Sequence, residues 1–389
     1  MAGFLPSCNF NPPVAFDRAR ATQPLPEVPN QPPAGSLVII DDFEDTFQSA
    51  AHGNVGAYAA RQQGFRGPIY AETVGSEQPG PRNSTSARTW MNLQPQDPAQ
   101  VRQAVQDYSR FSHRELLEDV TGDLNKVRER GLHDSAVNVS YGAQPQRSAE
   151  TLLRDVRSGT MPGSPTFQMS QNILKAYDID SAKLTNPDAK VSGPERHRLH
   201  QALLQATEAG AQAPDVKQAQ ANYDQAVGAL QAQNNSVVVS AGNQEQILQS
   251  MANEAGGLKP TAGPDSNHNV LANAQVVTVG ATRWREGAGG LQERVAGYSN
   301  RDPEVDIYAS GSVGNGVDQN RLNVAGTSFS SPRVAAALAS LHGTHPGSNS
   351  VQMRNLMQNR LTHSLQDGGQ NVSVLDFAQT ERYMREGRF

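Results

Sequence analysis

A serine hydroxyl becomes an effective nucleophile when a base takes its proton and an acid orients that base. Residues of all three types stand in suggestive settings here. The stretch NVAGTSFSSPRVAAALASL, Asn323 to Leu341, sets Ser328, Ser330 and Ser331 just ahead of an alanine-rich run with helical spacing. A helix N-terminus carries partial positive charge, so an oxyanion formed beside Ser328 is stabilised there. Pro332 suits the first turn of such a helix, where its missing N–H has no partner to lose. The same hydroxyls equally suit plain helix caps. Asp41 ends the apolar run in SLVIIDD, Ser36 to Asp42, and His52-Gly53 opens the next helical stretch. Each is ordinary alone: an acid ending a strand, a histidine capping a helix. In parallel α/β sheets, however, ligands bind at the C-terminal ends of strands, and Asp41 sits at such an end.

Positioning these groups requires a sheet flanked by helices. Leu37-Val38-Ile39-Ile40 is short, apolar and β-branched, as expected for a strand buried on both faces. Further strands are expected at Ile69 to Val74, Ala136 to Gly142, Ser236 to Asn243 and Ala274 to Thr282. Helices are expected at His52 to Arg61, Gln100 to Arg130 and Pro332 to Leu341, and at Asp215 to Gln233, where Tyr223, Val227 and Leu230 share a face. Strands alternating with helices predict an α/β fold with a mostly parallel central sheet and helices on both faces. Residues 1–35 carry Pro6, Pro12, Pro13, Pro24, Pro26, Pro29, Pro32 and Pro33 and read as a flexible tail. Residues 143–214 are polar and broken by Gly and Pro, and read as an inserted lid or small helical subdomain. Residues 380–389 read as a C-terminal tail, leaving 36–379 as the main domain.

Four blocks now carry a resemblance. VIIDD resembles the first strand and catalytic acid of the subtilisin-like serine peptidases, the subtilases. HGNVGAYAA resembles their His-Gly helix start, and VVVSAGN the strand ending in their oxyanion-hole asparagine. GTSFSSPRVAAALA resembles the Gly-Thr-Ser-x-x-x-Pro block around their nucleophile. Weaker echoes appear in VNVSYG, GYSNRDPEVDIYASG and the closing HPGSNSVQMRNLMQN and GGQNVSVLDFAQ segments. The resemblance spans most of Ser36 to Gln379 apart from the insertion. It implies a three-layer subtilisin-like fold and a serine endopeptidase. By position it implies Ser328 as nucleophile, His52 as general base and then acid, Asp41 as the orienting acid, and Asn243 as oxyanion donor together with the Ser328 N–H. It also implies that Ser140, Tyr141 and Gly142 on one side and Ser240, Ala241 and Gly242 on the other line a pocket. Small residues there let a substrate backbone approach and pair as an added strand. Ordinary strand ends before turns remain the alternative reading of both segments, as a turn does for Asn243.

The chain departs from that family in several places. Asp41 is followed by Asp42, Phe43 and Glu44 where the family has Ser or Thr and then Gly, so Asp42 is a second candidate acid. Its field would also favour the charged form of His52. The Asp41–His52 spacing is short. No carboxylate pattern resembles the calcium sites of many relatives, and Asp302, Glu304 and Asp306 read as solvated or structural. No folded pro-domain is recognised.

Charged residues make up 18% of the 389 residues and the net charge is −5, with no basic stripe for nucleic acid. Cys8 is the sole cysteine, which excludes an intrachain disulfide and a zinc knuckle. No cofactor and no metal site are expected, and the expected partner is a peptide or protein substrate. No apolar run is long enough to span a bilayer and no signal peptide is evident, so a cytoplasmic location and a specialised export route both stay open. Beside the hydrolase stand a pseudo-peptidase that only binds peptide, an acyl-transfer relative, and an effector delivered into another cell.

Overall fold

The computed structural model describes residues 24–43, 46–47, 50–74, 87, 91, 97–185, 189–245, 268–287, 290–301, 305–313 and 324–387. The first 23 residues of the expected tail, with Glu44, Asp302 and Glu304, lie outside the described residues.

Strand β1 (Leu37–Asp41) lies inside a nine-stranded sheet. It pairs in parallel with β2 (Ile69–Thr73) on one side and β3 (Ala136–Val139) on the other. Next come β4 (Ser236–Ser240), β5 (Val277–Gly287) and β7 (Ile307–Ser310), all parallel. Strand β6 (Gly290–Val295) folds back antiparallel on the outer half of β5. The far edge is the antiparallel pair β8 (Thr362–Asp367) and β9 (Gln370–Leu375).

The period-two alternation of β1 assigns its side chains to two separate cores. Leu37 and Ile39 face one layer, packed with residues of helices α1 (His52–Gln62), α7 (Thr327–Thr344), α8 (Ser350–Arg360) and α9 (Phe377–Glu386). Val38 and Ile40 face the other, packed with α2 (Pro98–Glu129) and α6 (Pro214–Gln231). All four are 0% exposed, and burial of such a side chain contributes roughly 1.5–3 kcal/mol. Helices thus cover both faces, the arrangement expected of continuous apolar strands. On α6 the expected stripe of Tyr223, Val227 and Leu230 is 0% exposed.

The described residues of 143–214 are mostly helical. They supply α3 (Pro145–Ser158), α4 (Phe167–Ala176), a single turn at Ser181–Leu184 and α5 (Ala189–Ala211). Together with the N-terminal half of α2 they enclose a third apolar core containing Val105, Leu152, Ile173 and Leu203.

Three expectations are corrected. Residues 24–35 do not hang free: Glu27 bridges Ala71 of β2 in parallel, Ala71 N–H donates to Pro26 O at 2.9 Å, and Val28 is buried. Proline-rich chain cannot build a core, yet it can lie extended along an edge strand. Residues 380–387 are likewise no tail, since α9 runs through Glu386 with Tyr383 buried. Finally, α7 starts at Thr327 rather than at Pro332, so the proline falls in the second turn. The physical reason emerges at the site.

Candidate active site

Asp41, Ser140 and Ser240 lie at or just past the C-terminal ends of β1, β3 and β4, so parallel pairing brings them to one edge of the sheet. Asp41 is 0% exposed. Its Oδ1 accepts from the Asp42 N–H at 2.7 Å and from His52 Nδ1 at 2.8 Å. The carboxylate bonded to the imidazole Nδ1 is thus that of Asp41, the acid that ends β1. In the neutral ring this fixes the proton on Nδ1 and leaves Nε2 as the basic nitrogen. The short link between the two residues works because Gly53 N–H, at the start of α1, donates to Asp42 O at 2.9 Å. Phe43 packs over Gly53 so closely that any Cβ there would collide with its ring.

Burial of His52 works to lower its pKa. The Asp41 hydrogen bond and the charges of Asp41 and Asp42 outweigh burial, and the net shift is upward, with Arg147 opposing.

Ser328 is half-buried in the first turn of α7. Its neighbour Phe329 stacks against His52 at 5.2 Å between ring centroids, which docks this helix end on the imidazole. Ser328 Oγ donates to Ser140 O at 3.3 Å, and Ser140 Oγ donates to Ser328 O at 3.2 Å. Asn138 Nδ2 in turn donates to Ser140 Oγ at 2.8 Å. Pro332 has no N–H to give to the carbonyl four residues back, which is that of Ser328. The Ser140 hydroxyl fills that gap, which allows the helix to begin five residues before the proline.

Capping of α7 comes from outside the helix. The N-cap Gly326 supplies no side chain, while Ser330 Oγ and Ser331 Oγ are buried with no hydrogen-bond partner among the described residues. Asn243 Oδ1 accepts from Thr327 N–H at 2.9 Å and from Thr327 Oγ1 at 3.1 Å. With its oxygen so anchored, its Nδ2 lies against Gly326, at 3.3 Å from where a Cβ would stand. Gly242 holds φ +104°, and a Cβ there would meet side-chain polar atoms of Gln244, Asn300 and Gln144 at 2.6–2.7 Å. That left-handed turn swings Asn243 toward α7.

The two expected pocket walls are tied together. Asn269 Nδ2 donates to Ser240 O at 2.6 Å and to Tyr141 O at 3.3 Å, and Ser240 Oγ donates to Tyr141 O at 3.4 Å. Ala241 N–H donates to Val279 O, and Ala241 is buried. Arg147, on α3, donates from Nη1 to Gly142 O at 3.2 Å. Neither Asn269 nor Arg147 is legible as a site residue from sequence: Asn269 lies in a segment with no periodic pattern, and the helical spacing of Ala149, Leu152, Leu153 and Val156 signals the helix that carries Arg147 but not where it docks.

Asp306 is structural, as expected: its Oδ2 accepts from Thr278 N–H at 2.9 Å, and burial, the largest influence, holds its pKa up. Among the described residues, no group of three or more His, Cys, Asp or Glu could hold a metal ion. No described helix is long and apolar enough to cross a membrane.

Against known proteins, the model of the subtilase family matches residues 191–375, a span holding Asn243 and Ser328. It begins inside the expected insertion and leaves out Asp41 and His52. No curated protein sequence matches. Among solved structures, the nisin leader peptidase of Lactococcus lactis aligns at 20% identity and TM-score 0.29 over 43% of this chain and 51% of that one. The present chain thus spans about half the length of that peptidase. A lanthipeptide protease aligns at 13% identity and TM-score 0.42 over 90% and 86% of the two chains. A cold adapted subtilisin-like serine proteinase aligns at 14% identity and TM-score 0.42 over 92% and 94%. Over residues 191–375, just under half of its length, this chain is similar to the subtilase family.

Proposed function

We propose that this chain is a serine endopeptidase that works through an acyl-enzyme on Ser328. The observation that carries the reading is the buried Asp41 carboxylate bonded to His52 Nδ1 at 2.8 Å, beside a helix whose first turn bears Ser328. A turn about χ1 exchanges the Ser140 O partner of Ser328 Oγ for His52 Nε2. His52 then takes the hydroxyl proton as Oγ attacks the peptide carbonyl. The oxyanion receives the Asn243 Nδ2 donor and the Ser328 N–H, one of the helix-start donors without an intrahelical acceptor. His52 returns its proton to the leaving amine, and water releases the acyl group by the same route. Asp41 holds the ring in place and stabilises the imidazolium that forms.

A second reading, a peptide-binding protein without turnover, is favoured by one observation. The Ser328 hydroxyl is engaged by Ser140 O, a carbonyl that cannot take its proton. A fluorophosphonate probe separates the two. Labelling of the wild type that vanishes in Ser328→Ala supports the peptidase, and absence of labelling in folded protein supports the binder.

A further inference from the structure

The cleft continues beyond Gly142 into a cavity of about 460 Å³, lined among others by Asp42, Tyr108, Ser112, Tyr141, Arg147 and Thr151. Its walls come from two sources. The sheet edge supplies Asp42 and Tyr141, while helices α2 and α3 supply the rest. Arg147 is the base among these six, and it projects from the first turn of α3, outside the span of the subtilase match.

The position of Arg147 follows from the path a substrate must take. Ser140 and Ser328 are bonded to each other, so a peptide whose carbonyl sits at Ser328 passes along Ser140-Tyr141-Gly142. Extended chain advances roughly 3.3 Å per residue, so the peptide residue that meets Gly142 stands about two residues from the reacting carbonyl. A peptide paired with this edge needs Gly142 O as an acceptor for its own N–H. That oxygen is held by Arg147 Nη1. Among the described residues the hydrogen-bond partner of this guanidinium is a backbone carbonyl; Glu150, one turn along α3, feels its charge without forming an ion pair with it. Binding of the peptide strand therefore displaces an arginine at the mouth of the cavity and leaves its planar fork in need of an acceptor. A carboxylate meets that fork with two parallel bonds, which a lysine or an amide side chain cannot supply. Asp42 does not offer a competing site for a basic residue. It already has interactions of its own, and its charge acts on His52.

Resting on the peptidase reading above, we propose that Arg147 selects substrates with an aspartate or glutamate on the acyl side of the cleaved bond, seated in the cavity beyond Gly142. Arg147 is then a specificity residue contributed by the inserted helices, which gives that segment a role in substrate choice.

The test uses the full-length protein and fluorescence-quenched peptide pools with Glu, Gln or Lys fixed in turn at each acyl-side position. Wild type is expected to cleave the Glu pool at least about tenfold faster than the Gln pool at one position, the scale of a charge-assisted hydrogen bond. Arg147→Ala is expected to bring that ratio near one, and Arg147→Glu to turn the preference toward Lys. Equal cleavage of Glu and Gln pools by wild type, or a preference that persists in Arg147→Ala, overturns the proposal. The same pools, fluorescein-labelled, are also titrated onto Ser328→Ala and Ser328→Ala/Arg147→Ala by anisotropy. Tighter binding of Glu than Gln peptides that is lost with Arg147 supports the proposal even without turnover, and failure of turnover then counts against the peptidase reading alone. Charge-blind binding overturns the proposal whatever the turnover.

Discussion

Ser140 and Ser328 exchange hydrogen bonds across the sheet edge: each hydroxyl donates to the other's carbonyl, at 3.2 and 3.3 Å. One of the two bonds exists because Pro332 cannot make it. Ser140→Ala should therefore leave the Ser328 carbonyl short of a donor, at a cost of about 1–3 kcal/mol. Pro332→Ala returns a backbone N–H to that carbonyl while removing ring packing near Gly56. The double variant should lose less stability than the sum of the two single variants. Urea unfolding of the four proteins measures the coupling, and strict additivity would remove the link argued here.

Asn243 serves α7 through its oxygen and, in the proposed mechanism, the oxyanion through its nitrogen. Asn243→Asp keeps the acceptor for Thr327 N–H and places a negative charge at a helix start, which is favourable. It should hold the melting temperature while turnover falls by roughly 10²–10³, the loss found when one such donor is removed from a subtilisin. Asn243→Ala should lose activity and also about 1 kcal/mol of stability, typical for a missing cap. Parallel melts and peptide turnover distinguish the two variants. An active Asn243→Asp enzyme would contradict the role given to Nδ2.

Asp42 and Arg147 pull the His52 pKa in opposite directions. A base with a raised pKa stays protonated to higher pH, so activity on the acid side is lost earlier as pH falls. Asp42→Asn should move the acid limb of the kcat/KM profile to lower pH. Arg147→Gln should move it to higher pH, by a fraction of a unit in each case given one screened charge. Limbs that coincide with wild type in both variants would show that His52 does not sense either group.

Burial holds His113, His200 and His342 neutral, with pKa values pushed down to about 4. An unfolded histidine titrates near 6.5. Stability from these neutral rings is thus complete above about 6.5 and is lost as pH falls toward 4, by up to about 1.4 kcal/mol per pH unit for each ring. His342 Nε2 pairs with Ser236 Oγ at 2.9 Å, and glutamine offers that hydroxyl a neutral partner. His342→Gln should flatten the decline of the urea midpoint between pH 6.5 and 4. An unchanged slope would assign the acid sensitivity elsewhere.

Legibility followed physical range. The β1 run declares itself because four consecutive buried apolar residues leave a strand few alternatives, and the strand ends at Asp41 itself. The stripe on α6 is equally plain, because three residues at helical steps share one buried face. The start of α7 is not. Pro332 signals a first helical turn, and only a hydroxyl just past the end of β3, nearly two hundred residues away in sequence, makes the earlier start tenable. The Asn269 tie and the Arg147 reach are also products of tertiary placement. So is the packing of residues 24–35, whose proline content describes what they cannot do alone rather than what a neighbouring edge lets them do.

That strap has a consequence for how the protein survives in solution. Strand β2 is the last of its sheet on that side, and a bare edge is a template for pairing with another chain. Pro26 and Glu27 occupy it at Ala71, and the prolines on either side withhold the N–H groups that would let a further strand continue the ladder. The segment acts as an edge guard. A variant lacking residues 24–33 loses Val28 from one core together with the cover on this edge, and should become prone to aggregation.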